Sequence, residues 1–167
     1  ILPSDFVNND LNDSKKLSFK KRNELSKTIY KEALACEIGI VSPKEIDKIN
    51  ILQASILCMH KAIKKINLPF DLILVDGPHF KKYKNIKHEC IVRGDSKYLA
   101  IAAASIIAKT HRDELMIKMH EDYPNYKWCR NKGYPTIEHR EAIINFGITD
   151  QHRKSFKLIN NQTALNI

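Results

Sequence analysis

The chain has 167 residues, 43% hydrophobic and 28% charged, a balance that fits one globular domain spanning residues 1–167 and able to bury most of its apolar surface. Its 28 Lys and Arg outnumber 19 Asp and Glu for a formal charge of +9, and the excess is clustered, which points to a polyanion, most commonly nucleic acid, rather than to solubility alone. No apolar run reaches the roughly twenty residues that cross a bilayer, no signal-peptide pattern is present, and four dispersed cysteines without a C-x-x-C read as reduced, mostly buried thiols of a cytoplasmic protein.

In chain order, the first basic cluster is Lys15, Lys16, Lys20, Lys21 and Arg22. Ser18 is placed to cap a helix over residues 19–36, with Leu25, Ile29 and Ala33 on its apolar stripe. Residues 37–41 (Glu-Ile-Gly-Ile-Val) read as a short strand. Ser42-Pro43-Lys-Glu45 then starts a helix, with Ser as cap, Pro at the first helical position and Glu closing a capping box. Ile46, Ile49, Leu52, Ile56, Met59, Ile63 and Ile66 recur every three or four residues, so one face of that helix is core. The helix leads to the apolar strand Leu72-Ile-Leu-Val-Asp76-Gly77, making a strand–helix–strand crossover and a parallel pair. A second basic cluster follows in Lys81, Lys82, Lys84 and Lys87. Residues 89–92 form a third strand, residues 98–120 a long helix, and Pro135-Thr136 opens a last helix that Gly147 ends. A third basic cluster, Arg153, Lys154 and Lys157, closes the chain. The fold class is α/β, one mixed sheet with helices against it.

Asp76 ends an apolar strand, where functional groups of open α/β sheets gather, although an Asp-Gly turn accounts for it equally well. Asp95, in Arg93-Gly-Asp-Ser-Lys97, serves either as a helix cap or as a second acid. Together the two suit a hard divalent cation such as magnesium, used on a phosphate backbone. Asp113 and Glu114 are further candidate ligands, or members of a solvated helix face. Ala102-Ala-Ala-Ser105 signals close helix–sheet packing; a groove-facing part would leave Ser105 and Lys109 as donors to a sugar-phosphate backbone. Tyr134, between Gly133 and Pro135, is either a buried turn residue or a ring that stacks beside a scissile phosphate. The seven histidines lack an H-E-x-x-H pattern, and no G-x-S-x-G, dinucleotide or P-loop motif occurs.

These motifs, taken in order, resemble bacterial ribonuclease HII nearly end to end. The matching stretches are Leu11-Asn-Asp13-Ser-Lys15-Lys-Leu17-Ser, Ser42-Pro-Lys-Glu-Ile-Asp47-Lys-Ile-Asn50-Ile-Leu-Gln-Ala54, Leu74-Val-Asp76-Gly77, Arg93-Gly-Asp95-Ser-Lys97, Ala103-Ala-Ser105-Ile-Ile-Ala-Lys109, Arg112-Asp113, Lys132-Gly-Tyr134-Pro-Thr136-x-x-His139 and His152-Arg-Lys-Ser155-Phe156. The resemblance implies a ribonuclease H-like fold and a monomeric endonuclease using Mg2+ or Mn2+. Its implied substrates are RNA–DNA hybrids and duplex DNA with embedded ribonucleotides, nicked on the 5′ side; no membrane is involved. It implies that Asp76 and Asp95 are catalytic metal ligands, that Lys15 holds a substrate phosphate, that Lys132 assists binding and that Tyr134 stacks at the RNA–DNA junction. The family's opening strand, Asp-Glu followed by Ala-Gly-Arg-Gly, has no counterpart here, and Pro78 stands where Asn commonly follows Asp-Gly. The expectation is therefore an N-terminally incomplete catalytic domain lacking that strand, with a catalytically impaired nucleic-acid-binding remnant as the alternative.

Overall fold

The computed structural model describes residues 1–11 and 17–156. Lys15 and Lys16 of the first basic cluster and Lys157 of the last lie outside them. The described residues divide into two compact units, one within Ile1–Ile40 and Ser55–His111, the other within Val41–Ala54 and Arg112–Ile167.

In the first unit, helix α1 spans Phe19–Glu32, and the Ser18 hydroxyl caps it by accepting from the Lys21 N–H at 3.2 Å. It stops short of residue 36 because the Leu34 N–H donates to the Ile1 carbonyl (2.9 Å), while the amino terminus donates to the Ala35 carbonyl (2.8 Å). Leu25 and Ile29 of α1 are buried with Phe6, Leu11, Ala102, Ala103, Ile106 and Ile107 in one cluster. The small residues at 102 and 103 thus pack into a cluster shared with α1 and the N-terminal segment, a helix–helix arrangement where helix–sheet packing was expected.

Residues 37–41 do not form a strand. Three successive carbonyls are taken by side chains of helix α2, Pro43–Lys65, instead of a neighbouring strand. Lys65 Nζ donates to Ile38 O (2.7 Å), Cys58 Sγ to Gly39 O (2.9 Å) and Lys61 Nζ to Ile40 O (3.1 Å). The approach is close enough that a Cβ on Gly39 would lie 1.9 Å from the Cys58 carbonyl oxygen, so glycine is required there. The crossover expected between residues 37–41 and Leu72–Asp76 is correspondingly absent.

Helix α2 begins as the capping box predicts, with the Ser42 N–H and hydroxyl on Glu45 Oε2 (2.8 and 2.9 Å) and the Glu45 N–H on Ser42 Oγ (3.3 Å). It is broken at Asn50 (φ 65°, ψ 168°), whose side chain accepts from the Gln53 N–H at 3.1 Å and so caps a second helical run. The break shifts the helical phase. Ile51 and Leu52 are left exposed, while Ala54 and Ile56 are buried, so the expected continuous apolar stripe is interrupted.

Strands β1 (Leu72–Asp76) and β2 (Lys87–Ile91) pair in parallel with Asp76 opposite Ile91. Among the described residues this pair is the whole sheet, with no antiparallel member where a mixed sheet was expected. Within β1, Val75 is the fully buried residue. A 3-10 turn, Gly94–Ser96, leads into helix α3, Leu99–Asp122.

The second unit holds the end of α3, the short helix α4 (Trp128–Asn131) and helix α5 (Ile137–Phe146). Thr136 caps α5 by accepting from the His139 N–H at 3.3 Å, and Gly147 is its C-cap, both as predicted. Tyr126, Trp128, Ala142 and Ile143 form its core, with Met116, Met119 and Tyr123 packed against them. The cysteines are all unbridged, but Cys36, Cys58 and Cys129 are only half-buried and Cys90 is exposed.

Candidate active site

Two groups of sequence-predicted residues lie in the two units. In the first, β1 delivers the Asp76 carboxylate to its C-terminal end, exposed to solvent. Beyond β2, Arg93 adopts a left-handed conformation (φ 56°, ψ 43°) that turns the chain back, and the Gly94 N–H donates to Asp76 Oδ1 at 2.9 Å. The next residue is Asp95, half-buried in the 3-10 turn, so one backbone hydrogen bond ties both acids to the same strand end. Gly94 itself is buried, and a Cβ there would meet Ile101 Cδ1 at 2.5 Å, which glycine avoids. The turn is further closed by Ser96 Oγ on Arg93 O (2.9 Å) and Lys97 Nζ on Val92 O (3.0 Å).

Asp76 and Asp95 offer oxygen donors only, the set a hard divalent ion prefers; magnesium is commonly held by one or two carboxylates with the rest of its shell from substrate phosphate and water. That donor set fits such an ion, while no group of three or more His, Cys, Asp or Glu side chains able to hold a metal occurs among the described residues. Ser105 and Lys109 are half-buried in the part of α3 belonging to this unit, four residues apart and so on one helix face.

In the second unit, Tyr134 is 53% exposed, which removes the buried-turn reading. The Arg112 guanidinium carbon lies 4.9 Å from its ring centroid. The Lys132 ammonium donates to the Cys129 carbonyl, so the lysine is turned toward its own turn. Asn131, buried, shapes this loop: its amide donates to Tyr126 O (2.8 Å), its side-chain oxygen accepts from the Gly133 N–H (2.8 Å), and its carbonyl accepts from the Tyr134 N–H (2.8 Å). Asp113 is buried at 2% exposure and so is not part of a solvated face, whereas Glu114 is exposed. Lys15 lies outside the described residues.

Sequence reasoning passed over a buried polar chain here. Trp128 Nε1 donates to His139 Nε2 (3.1 Å), that nitrogen is 3.3 Å from His152 Nε2, and His139 Nδ1 is 3.0 Å from the Tyr134 carbonyl. The available signal was the recurrence of Trp128, His139 and His152 within a short stretch, with no metal-binding partner to explain them. Asp47, in the Ser42–Ala54 stretch, is a second polar group whose task only the structure shows. Its carboxylate accepts from the Lys154 N–H (2.8 Å) and from the Ser155 N–H (3.0 Å) and hydroxyl (2.5 Å), which anchors the last described turn; the Ser155 bonds, chiefly, hold its carboxyl below the usual range.

A family model described as Ribonuclease HII matches residues 4–159. A protein named Ribonuclease HII from Christiangramia forsetii is 55% identical over 165 residues, 99% of this chain and 83% of its own length. Another of that name, from Parabacteroides distasonis, is 56% identical with the same coverage. Among solved structures, ribonuclease H2 from Pyrococcus horikoshii OT3 superposes with a TM-score of 0.72 at 23% identity, covering 87% of this chain and 76% of that one, a likeness of fold. RNase HII of Archaeoglobus fulgidus, solved in a complex with PCNA, gives 0.71 at 25% identity, covering 89% and 79%.

Proposed function

From the premise that the chain belongs to the ribonuclease HII family, and is a ribonuclease H enzyme, we propose that it cuts the RNA strand of RNA–DNA hybrids and nicks duplex DNA 5′ of embedded ribonucleotides by divalent-metal-assisted hydrolysis. The observation that carries this reading is the Gly94 N–H to Asp76 bond, which holds the turn that carries Asp95 against the strand end that carries Asp76, in a chain of charge +9. Asp76 and Asp95 hold Mg2+ or Mn2+ in this reading. When bound, the ions acidify an attacking water and neutralise charge on the departing oxygen.

The residues of the chain have separate tasks. Asp76 is oriented by its backbone partner, so its carboxylate needs little reorganisation as charge develops. Tyr134 presents an exposed ring on which a nucleotide can stack, with Arg112 beside it as a cation for the phosphate. Lys15, Ser105, Lys109 and Lys132 are assigned to the backbone of the bound duplex. Residues 1–167 are read as part of one catalytic domain, lacking its opening strand, of a monomeric, cytoplasmic protein. Among the described residues no helix is long and apolar enough to cross a membrane.

Single-turnover cleavage by the full-length protein tests the reading. A duplex with one embedded ribonucleotide should be nicked on its 5′ side in Mg2+ or Mn2+, leaving 3′-hydroxyl and 5′-phosphate ends. Cutting that persists in excess chelator, or equal cutting of all-DNA duplex, overturns it.

A further inference from the structure

The histidine pair behind Tyr134 can be assigned proton by proton. Trp128 Nε1 is a donor only, so His139 Nε2, at 3.1 Å, must accept. His139 therefore carries its proton on Nδ1 and donates it to the Tyr134 carbonyl at 3.0 Å. That carbonyl also accepts from the Thr136 N–H at 2.8 Å, so both its lone pairs are used. From the other end, the Thr149 N–H donates to His152 Nδ1 at 3.0 Å, which leaves the His152 proton on Nε2, aimed at His139 Nε2 at 3.3 Å. His139 Nε2 thus shares one lone pair between two donors. All three rings are buried, at 2% for Trp128 and 6% for each histidine.

The chain of bonds holds only while His139 is neutral. A proton on His139 Nε2 would face the N–H groups of Trp128 and His152, donor against donor where water cannot intervene, whereas a proton on His152 Nδ1 would find the Thr149 hydroxyl oxygen, 3.0 Å away, as an acceptor. Tyr126 and Trp128 flank the rings. Arg153 is adjacent to His152 in sequence, Arg112 acts on Arg153 as a like charge, and the Asp47 carboxylate is committed to the Lys154 and Ser155 N–H groups; Glu138 and Arg140 flank His139 in sequence and Asp150 lies two residues before His152. Burial, and then the neighbouring His139, hold His152 below its ordinary value.

We propose that His139 is a positioning residue for Tyr134. The Trp128–His139–His152 chain fixes the turn that presents the tyrosine ring, and protonation of His139 releases that turn. The role rests on the reading of Tyr134 as a nucleic-acid contact. The nearby Lys132 and Gly133 both have positive φ (49° and 74°), so the turn is a conformation that needs outside support.

Side-chain 15N NMR of the full-length protein reads the assignment directly. The expected result at neutral pH is Nδ1–H for His139 and Nε2–H for His152, with the Tyr134 amide shifting together with the His139 ring nitrogens as pH is lowered. The opposite tautomers, or a histidine titration that leaves Tyr134 unmoved, overturn the proposal. Variants supply the second readout. His139→Asn places an amide N–H near the Nδ1 position and should keep most of the single-turnover rate, whereas His139→Leu should lose about tenfold per folded molecule, the effect of one hydrogen bond. Equal losses in the two variants, or none in His139→Leu, also overturn it. Tyr134→Ala separates the two readings: unchanged cleavage there removes the role of the tyrosine and this proposal with it, while loss there beside a normal His139→Leu removes this proposal alone.

Discussion

The acid-bearing strand end and the tyrosine turn solve opposite problems. Asp76 is exposed and receives one backbone hydrogen bond, so its carboxylate keeps capacity for further partners. The groups behind Tyr134 have their bonding saturated: Asn131 makes three bonds, the Tyr134 carbonyl accepts twice, and two histidines and a tryptophan close a buried chain. The first arrangement suits binding something that arrives; the second suits holding one ring still. Substitutions at the first should therefore alter chemistry with little cost in stability, and substitutions behind the second should cost stability as well as rate.

The largest expected effect is from Asp76→Asn. It keeps a side-chain oxygen for the Gly94 N–H but removes the charge, and should lower cleavage by about a hundredfold or more, consistent with several kcal/mol of metal-assisted stabilisation. Its melting temperature should stay near that of the parent. Parallel thermal melts and chelator-controlled kinetics check both halves; a rate close to the parent's would break the comparison. Asp95→Asn should behave alike.

Trp128→Ala removes a fully buried ring and the donor that fixes His139, so it should destabilise by about 3–5 kcal/mol, the usual range for such truncations. Denaturant unfolding measures this, and a loss below about 1 kcal/mol would show the buried chain to be structurally idle. Tyr134→Ala comes next. A half-exposed ring should cost little stability, yet roughly 1–3 kcal/mol of contact with a nucleotide, seen as slower single-turnover cutting more than as weaker binding. A destabilised but fully active protein would return the tyrosine to a packing role.

The smallest effect sharpens the comparison through pH. Asp47 has its carboxyl lowered by Ser155, so folding gains from its ionised form above the unfolded-state value and loses that gain as pH falls through the lower folded-state value. Asp47→Asn should therefore lower the melting temperature slightly at neutral pH and converge with the parent as pH falls below about 4, which flattens the acid limb of the profile.

Local chemistry made much of the fold legible. Ser18, Ser42 with Glu45, Thr136 and Gly147 mark their helix ends because each cap is satisfied within a few residues. Strand Leu72–Asp76 was readable from its apolar run and the Asp-Gly that ends it. Residues 37–41 misled because their alternation fits a strand, while their carbonyls go to Cys58, Lys61 and Lys65, partners some twenty residues away. Asn50 was readable in principle, since Asn50-Ile-Leu-Gln53 is a cap signature, but it sits inside an otherwise helical pattern. Of the site, the acids and Tyr134 stood out by type and turn context. The histidine chain did not, because its meaning lies in which nitrogen faces which donor.

Of the four thiols only Cys90 is exposed, and it sits on β2 opposite Val75, one register step before the Asp76–Ile91 pair. A maleimide-linked spin label attached there would act as a ruler fixed to the strand paired with the one that carries the first acid. Manganese bound to Asp76 would shorten the relaxation time of that label, reporting occupancy of the strand end without any substrate being cut.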